Sequence, residues 1–473
     1  MSKKSKRFRG GAGVAIKSNA PIAQLSSIPS PLSLPQQFLD MLDSAVGQEL
    51  ASRIVTAIQE SPPVISIRIN PAKWPNLVAA GHPLVNNSES LSGEKNTNIV
   101  AWCPAGLYLT ERPNFTLDPA FHAGAYYVQE PSSMILEILR PIVSEANNVL
   151  DLCAAPGGKS THLATMLRGG AAAGGETAAA FGRPASGRPA ARLTANEIIR
   201  SRAATLRENI SKWGDPRVTV TSLDPSAFAN RGEIFDFILV DAPCSGEGMF
   251  RKDPEAISEW SPRAVDECVT RQRKIVMDIW ATLEPGGYLA YSTCTMNLHE
   301  NEENVDWFAQ NMGAQIIPLT SYLKSHDQGI IITSQGSLRL HPGLVKGEGL
   351  FLALLRKPED QFVDSEVQNI KSKFQFKTSK SNPTSTKADS SKTSIPDHYE
   401  AMSLEYNNQY PSVELSRKLA IKFLSRETLS LPDSPMGYLR VTYCGLGLGF
   451  VKNIGSRANN LLPTSLRILK PGL

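Results

Sequence analysis

The chain has 473 residues, 41% hydrophobic and 20% charged, ordinary proportions for a folded protein of about three domains. Its 49 Lys and Arg against 45 Asp and Glu leave a net charge of +4, too small to argue for nucleic acid by itself, and no apolar run approaches the ~20 residues that span a bilayer. Six scattered cysteines (Cys103, Cys153, Cys244, Cys268, Cys294, Cys444) exclude a disulfide scaffold and form no Cys-x-x-Cys zinc pair, so a reducing, cytoplasmic setting is expected and thiol chemistry must come from single cysteines.

Residues 1–34 are rich in Ser, Pro, Gly and Lys, with Lys3, Lys4, Lys6, Arg7 and Arg9 and no acid before Asp40. They read as a disordered basic tail, with an RNA-grasping arm or a transit segment as sharper alternatives. Phe38, Met41, Leu42, Val46, Leu50, Ile54 and Ile58 recur at helical spacing and predict a helix. Strand-like pieces follow at 64–69 and 100–103, and residues 35–144 form one N-terminal unit in this reading. Strands at 149–153, 192–195, 218–221, 235–240 and 288–291 then alternate with helical stretches such as 198–212 and 263–283. That rhythm implies a parallel sheet with helices on both faces, closed by an antiparallel pair at 315–318 and 350–355. This second unit covers 145–357. Within it, 169–190 is almost entirely Gly, Ala, Pro and small polar residues, a low-complexity loop that cannot bury a core. Residues 358–394 read as a flexible Ser-, Lys- and Thr-rich linker, and 395–473 as a small domain with strands at 438–443 and 448–451.

The strand at 149–153 runs from Val149 to Cys153 and straight into Ala154, Ala155, Pro156, Gly157, Gly158 and Lys159, with a helix from Ser160. Strand, glycine turn and helix start make the nucleotide-binding corner of a doubly wound sheet, where backbone N–H groups approach the ligand beyond the strand ends. Glu197 ends the second strand, where an acid binds the two ribose hydroxyls, and the usual ~20-residue spacing from the turn returns once the low-complexity insert is subtracted. Asp224 follows the third strand, in place for an adenine amino group. Either acid alone reads equally well as a helix N-cap; together they ring one crevice. The chain lacks both GxGxxG and GxxxxGK[ST], which argues against a dehydrogenase and a P-loop enzyme.

Two cysteines sit just past the next strand ends. One follows Asp241, Ala242 and Pro243 as Cys244, and leads into Ser245, Gly246, Glu247 and Gly248; the other is Cys294, after Ser292 and Thr293. One structural cysteine there would be common, but two, with Asp241 beside one, form a constellation. Carbon 5 of cytosine is too electron-poor to take a methyl group. A thiolate adding to carbon 6 turns the ring into an enamine, and an acid facing ring nitrogen 3 stabilises the charge that develops. Asp241, protonated or as a hydrogen-bond partner, suits that role; Lys159 or Lys252 can lower the thiol pKa; a second thiol can assist release. The residues alone do not decide which cysteine attacks. Phe250, Arg251 and Lys252 suit base and phosphate contact, and the target base has to be splayed out. His299, Glu300, Asn301, Glu302 and Glu303 read as acids at a helix start rather than metal ligands, and no metal is assigned.

Residues 149–160, 241–252 and 292–295 resemble the motifs of the Sun/Nop2 class of RNA cytosine methyltransferases. Asn196 and Glu197 with Arg202, Leu206, Asn209 and Gly214 resemble that family's second block, 126–134 its lead-in, and 347–351 its closing strand. The match spans about 35–356, and within the family 445–463 is similar to RsmF-type ribosomal RNA methyltransferases. The resemblance implies a Rossmann-like class I methyltransferase domain, α/β, with an N-terminal RNA-binding region and a small α+β, PUA-like RNA-binding domain at the C-terminus. It implies S-adenosyl-L-methionine as cofactor, held by Cys153, Ala154, Ala155, Pro156, Gly157, Gly158, Lys159, Glu197, Asp224 and Asp241. Cys294 is then the nucleophile, with Cys244 aiding product release. Small-subunit ribosomal RNA is the expected substrate and partner, transfer RNA the second, with no membrane or protein partner. A catalytically silent ribosome assembly factor is the non-enzymatic alternative. The chain departs from the family in the 169–190 insert and in 462–468, which lacks the aromatics common in RsmF-type proteins.

Overall fold

A computed structural model describes residues 33–86, 98–168, 191–324, 329–359 and 395–469. Nearly all of the basic tail, the 169–190 insert and nearly all of the 358–394 linker lie outside the described residues. The first amphipathic stretch forms two helices, Gln36–Val46 and Gln48–Glu60, rather than one. Gly47 separates them at φ +80°, a conformation that costs a residue without Cβ little. The break lets both apolar stripes fold onto one cluster with Phe250, Trp260, Val265 and Met296.

A four-stranded antiparallel sheet follows, in the order β2-β3-β1-β4, from β1 (Ser66–Ile69), β2 (Ile99–Val100), β3 (Cys103–Tyr108) and β4 (Tyr126–Val128). The expected strand at 100–103 is instead the corner of a hairpin, with Val100 paired to Cys103 across Ala101 and Trp102. The four consecutive apolar residues Val100 to Cys103 mimic a strand, but Trp102 turns inward and its indole N–H donates to Pro131 O at 2.8 Å.

The central sheet has nine strands. Five are parallel: β5 (Asn148–Asp151), β6 (Arg192–Asn196), β7 (Val218–Thr221), β8 (Phe235–Asp241) and β9 (Leu283–Thr293). Their order across the sheet is β9-β8-β5-β6-β7, so the strand order reverses between β5 and β8, the switch point where such sheets hold ligands. Val149, Leu150 and the 237–240 run are fully buried, as strands covered on both faces require. The antiparallel closure expected from sequence is present. Strand β13 (Leu350–Arg356) runs beside β9, and β10 (Gln315–Ile317) pairs with it through Ile316 and Leu355. Two short strands not evident in the sequence, β11 (Ile331–Ile332) and β12 (Leu338–Leu340), extend that edge.

The C-terminal sheet, β14 (Ser412–Glu414), β15 (Gly437–Tyr443), β16 (Leu446–Asn453) and β17 (Ala458–Asn460), carries one helix, Arg417–Leu424. It is not held apart from the rest. One apolar cluster combines Trp74, Leu77, Phe115 and Tyr126 with Phe423, Leu424, Tyr443 and Leu448. Beside it the buried Lys73 ammonium donates to Ala123 O at 2.8 Å, Lys212 O at 2.6 Å and Met402 O at 2.9 Å, joining all three parts of the fold. Among the described residues no helix is long and apolar enough to cross a membrane.

Candidate active site

The register of the parallel strands brings their carboxyl ends together: Asp151 faces Ala195 and Leu239, Asn196 faces Thr221, and Asp241 faces Ser292. Every residue singled out from the sequence as a site residue lies on this edge or in the loops leaving it. The glycine turn follows β5. Gly157, at φ +114°, caps the helix Gly158–Leu167 in a conformation that favours glycine, and a Cβ on Gly158 would lie 3.3 Å from the Tyr127 ring, a tight approach. The turn is held from outside. Ala154 N–H donates to Asn196 O at 2.8 Å, Arg202 to Ala155 O at 3.1 Å and Asn209 to Pro156 O at 2.8 Å. From the N-terminal sheet, the fully buried Arg68 donates to Gly158 O at 3.1 Å and to the Thr161 hydroxyl at 2.6 Å.

Beneath the turn, Asp151 accepts from the Ser160 hydroxyl at 2.6 Å through Oδ2, while its buried Oδ1 has no hydrogen-bond partner among the described residues. Burial above all, with the charges of Asp241 and Glu197 adding, pushes its pKa up to about 7. Burial likewise pushes the Cys153 thiol up. Glu197 leaves β6 almost fully buried; its carboxylate accepts from Ile199 N–H at 2.9 Å and lies 3.3 Å from Arg202. Asp224 is exposed and caps the short helix Pro225–Asn230 through Ser226 N–H at 3.0 Å, so the capping reading describes its present contact.

The two thiols meet: Cys244 Sγ lies 3.2 Å from Cys294 Sγ. The hydrogen bond to Cys294, then burial, raises the Cys244 pKa well above the ordinary range, which favours its protonated form. Asp241 stands beside them, paired with the Lys159 ammonium at 2.8 Å and accepting from the Ser292 hydroxyl at 2.8 Å. Burial works against that ammonium, but the charge of Asp241, and more weakly of Cys294, holds its pKa above the ordinary value. In these contacts Asp241 is a hydrogen-bond acceptor.

Three expectations for the loop after Cys244 need correction. Phe250 is fully buried against Phe38, with ring centroids 5.1 Å apart, and Arg251 is locked to the buried Glu348 at 2.6 Å, so neither is free for RNA. Lys252 lies 3.6 Å from the same carboxylate, which leaves Lys159 as the cation at the thiols. These side chains look like nucleic-acid contacts in sequence because their partners come from 36–60 and 347–351. In the acidic run, Glu302 and Glu303 do begin the helix Glu302–Met312, and exposed His299 pairs with Glu303 at 2.7 Å. Glu300 instead is buried at the site. Arg68, Asp151, Glu247 and Glu300 are the contributors the sequence reading passed over. For the first three the signal was slight, a charged residue inside an otherwise apolar or small-residue run; Glu300 stands among other polar residues and had none.

The residues around the turn fit S-adenosylmethionine. A partnerless buried carboxylate oxygen lies under a turn that side chains would fill, and a nearly buried acid ends the neighbouring strand. Comparison with known proteins agrees. Residues 34–131 match the N-terminal domain of 16S rRNA methyltransferase RsmF, 169–356 match 16S rRNA methyltransferase RsmB/F, and 410–468 match the methyltransferase RsmF PUA domain. A ribosomal RNA small subunit methyltransferase F of Cronobacter sakazakii is 33% identical over 346 residues, which cover 71% of this chain and 65% of that protein. One from Aliivibrio fischeri is 31% identical over 353 residues, 72% of this chain and 68% of the relative. The chain thus spans about two thirds of the relatives' length. Among solved structures, a methyltransferase homolog from Pyrococcus horikoshii superposes with a TM-score of 0.51 at 25% identity, covering 69% of this chain and 96% of that one. NSun6 of the same organism, solved with SFG, shares the fold with a TM-score of 0.52 at 20% identity, covering 69% and 99%. The chain belongs to the RsmF family of 16S ribosomal RNA methyltransferases.

Proposed function

We propose that the protein methylates carbon 5 of a cytosine in small-subunit ribosomal RNA, using S-adenosylmethionine and a covalent bond from Cys294 to the base. The observation that carries this reading is the pair of sulfurs 3.2 Å apart, at the ends of β8 and β9, next to the Lys159–Asp241 pair. Bound S-adenosylmethionine supplies an electrophilic methyl group. The residues around the glycine turn, with Glu197 and Asp224, hold the cofactor, and Arg68, Arg202 and Asn209 keep the turn in shape. Cys294, as thiolate, forms a bond to cytosine carbon 6, and Cys244, held as a thiol, donates to that sulfur. Asp241 accepts from the base's amino edge, and the Lys159 ammonium beside it offsets the charge developing at ring nitrogen 3. Once carbon 5 is methylated, its proton passes to water, the C5–H electrons restore the ring double bond, and the carbon–sulfur electrons return to Cys294 as thiolate, with Cys244 beside it.

The test is incubation with 16S ribosomal RNA and methyl-labelled cofactor, followed by nucleoside analysis. Wild type should yield labelled 5-methylcytosine, and Cys294→Ala none while still binding cofactor. Cys244→Ala should retain RNA covalently on a denaturing gel. Label in another nucleoside, or full activity of Cys294→Ala, would sink the reading; label only with transfer RNA would move the substrate.

A further inference from the structure

Behind the two thiols lies a pair of buried carboxylates with no part in the chemistry above. Glu247 belongs to the Cys244 loop, but its carboxylate reaches across to the Cys294 loop, accepting from Met296 N–H at 2.6 Å and Asn297 N–H at 3.1 Å. Glu300 lies beyond Cys294 and reaches the opposite way, accepting at 3.0 Å from the N–H of Ser245, the residue after Cys244. The Asn297 side-chain amide joins the two, donating to Glu247 at 2.8 Å and to Glu300 at 2.9 Å. Trp260 donates to the first carboxylate at 3.0 Å and Gln272 to the second at 2.7 Å. Each loop is therefore tied by a carboxylate that the other supplies.

We infer that Glu247 and Glu300 are positioning residues for the cysteine chemistry, a reciprocal brace that sets the separation of the Cys244 and Cys294 sulfurs. Two observations favour this over simple packing. Side chains at 1% and 0% exposure are a costly way to fill a core, since an ionised group out of water is tolerated only when its lone pairs are met, and here the donors come from the two reactive loops. Burial, with Glu247 nearby, raises the Glu300 pKa, against the hydrogen bonds from Ser245, Asn297 and Gln272 that favour its ionised form. Second, the loop backbones meet at the front, where Gly248 N–H donates to Cys294 O at 2.7 Å; behind, the Ser245 and Thr295 hydroxyls lie 3.0 Å apart and the two carboxylates supply the remaining hold. The inference rests on the proposed cysteine chemistry.

The test uses the full chain with Glu247→Gln and Glu300→Gln, which keep shape but turn an acceptor oxygen into a donor. One readout is the rate at which diamide closes a Cys244–Cys294 disulfide, the two thiols losing two protons and two electrons to the diazene, which becomes a hydrazine. The other is single-turnover methyl transfer to 16S ribosomal RNA. Each variant should lower both rates about tenfold or more while leaving cofactor affinity within about twofold. A purely stabilising role would lower the melting temperature and leave both rates unchanged while the protein is folded, which overturns the brace. A fall in only one rate, in a protein whose wild type methylates, overturns it as well. If the wild type does not methylate but disulfide closure slows in the variants, the brace stands and the functional reading falls. Should neither variant fold, hydrogen exchange in the wild type decides. The Ser245, Met296 and Asn297 amides must be protected alike, and a freely exchanging Ser245 overturns the brace.

Discussion

Asp151 is a carboxyl group placed where water cannot reach it, and its consequence is a pH dependence with a definite sign. Its pKa stands at about 7 against an ordinary 3.8. The folded state therefore binds its proton more tightly than the unfolded chain does. Stability is unaffected below about pH 4, is withheld increasingly as pH rises toward 7, and stays withheld above. A neutral residue of the same shape escapes that loss. Asp151→Asn should exceed wild type in melting temperature, by a margin that grows from pH 4 to pH 8 and corresponds to on the order of a few kcal/mol at the upper end. Thermal melts of both proteins across that range check it, and a constant margin would refute the buried-acid account. At this scale the sequence was informative where chemistry and motif coincide, as for Cys244, Cys294, Asp241 and the glycine turn. It was silent on Glu300 because nothing in a run of five polar residues marks the one whose neighbours come from helix Pro262–Trp280 and the Cys244 loop.

Among the elements, the two reactive loops approach through Gly248. A Cβ there would lie 2.7 Å from the Cys294 carbonyl oxygen and 3.2 Å from that of Glu348, both backbone atoms that cannot swing aside. Gly248→Ala should part the loops and reduce single-turnover methylation about a hundredfold, leaving cofactor affinity unchanged because the glycine turn is on another strand. Rapid-quench methylation with a parallel cofactor titration measures both. The strands of the parallel sheet were legible because they are apolar runs buried on both faces; the 218–221 strand has the bounds expected for it. Gly47, the 100–103 corner and the short edge strands β11 and β12 were not. A single glycine is compatible with helix, and two- or three-residue strands exist only through their partners.

For the molecule as a whole, Lys73 carries the heaviest consequence. Its three N–H groups meet three carbonyls from separate parts of the chain. Lys73→Met keeps the bulk and leaves those carbonyls buried without a donor, which should destabilise the protein by about 3 kcal/mol. Urea unfolding of the two proteins measures this, and a loss under about 1 kcal/mol would show that water takes over the contact. That the N- and C-terminal parts share a core was not readable from the sequence, because the shared cluster joins residues within 67–126 to residues within 415–468. The Lys73 contact also bears on ancestry. The residues whose carbonyls it holds lie 50, 139 and 329 positions along the chain. A recombination event that replaced the C-terminal unit with an unrelated one would leave a buried cation facing a missing acceptor. A replacement unit keeps that contact only if it returns a carbonyl to the spot that Met402 O occupies.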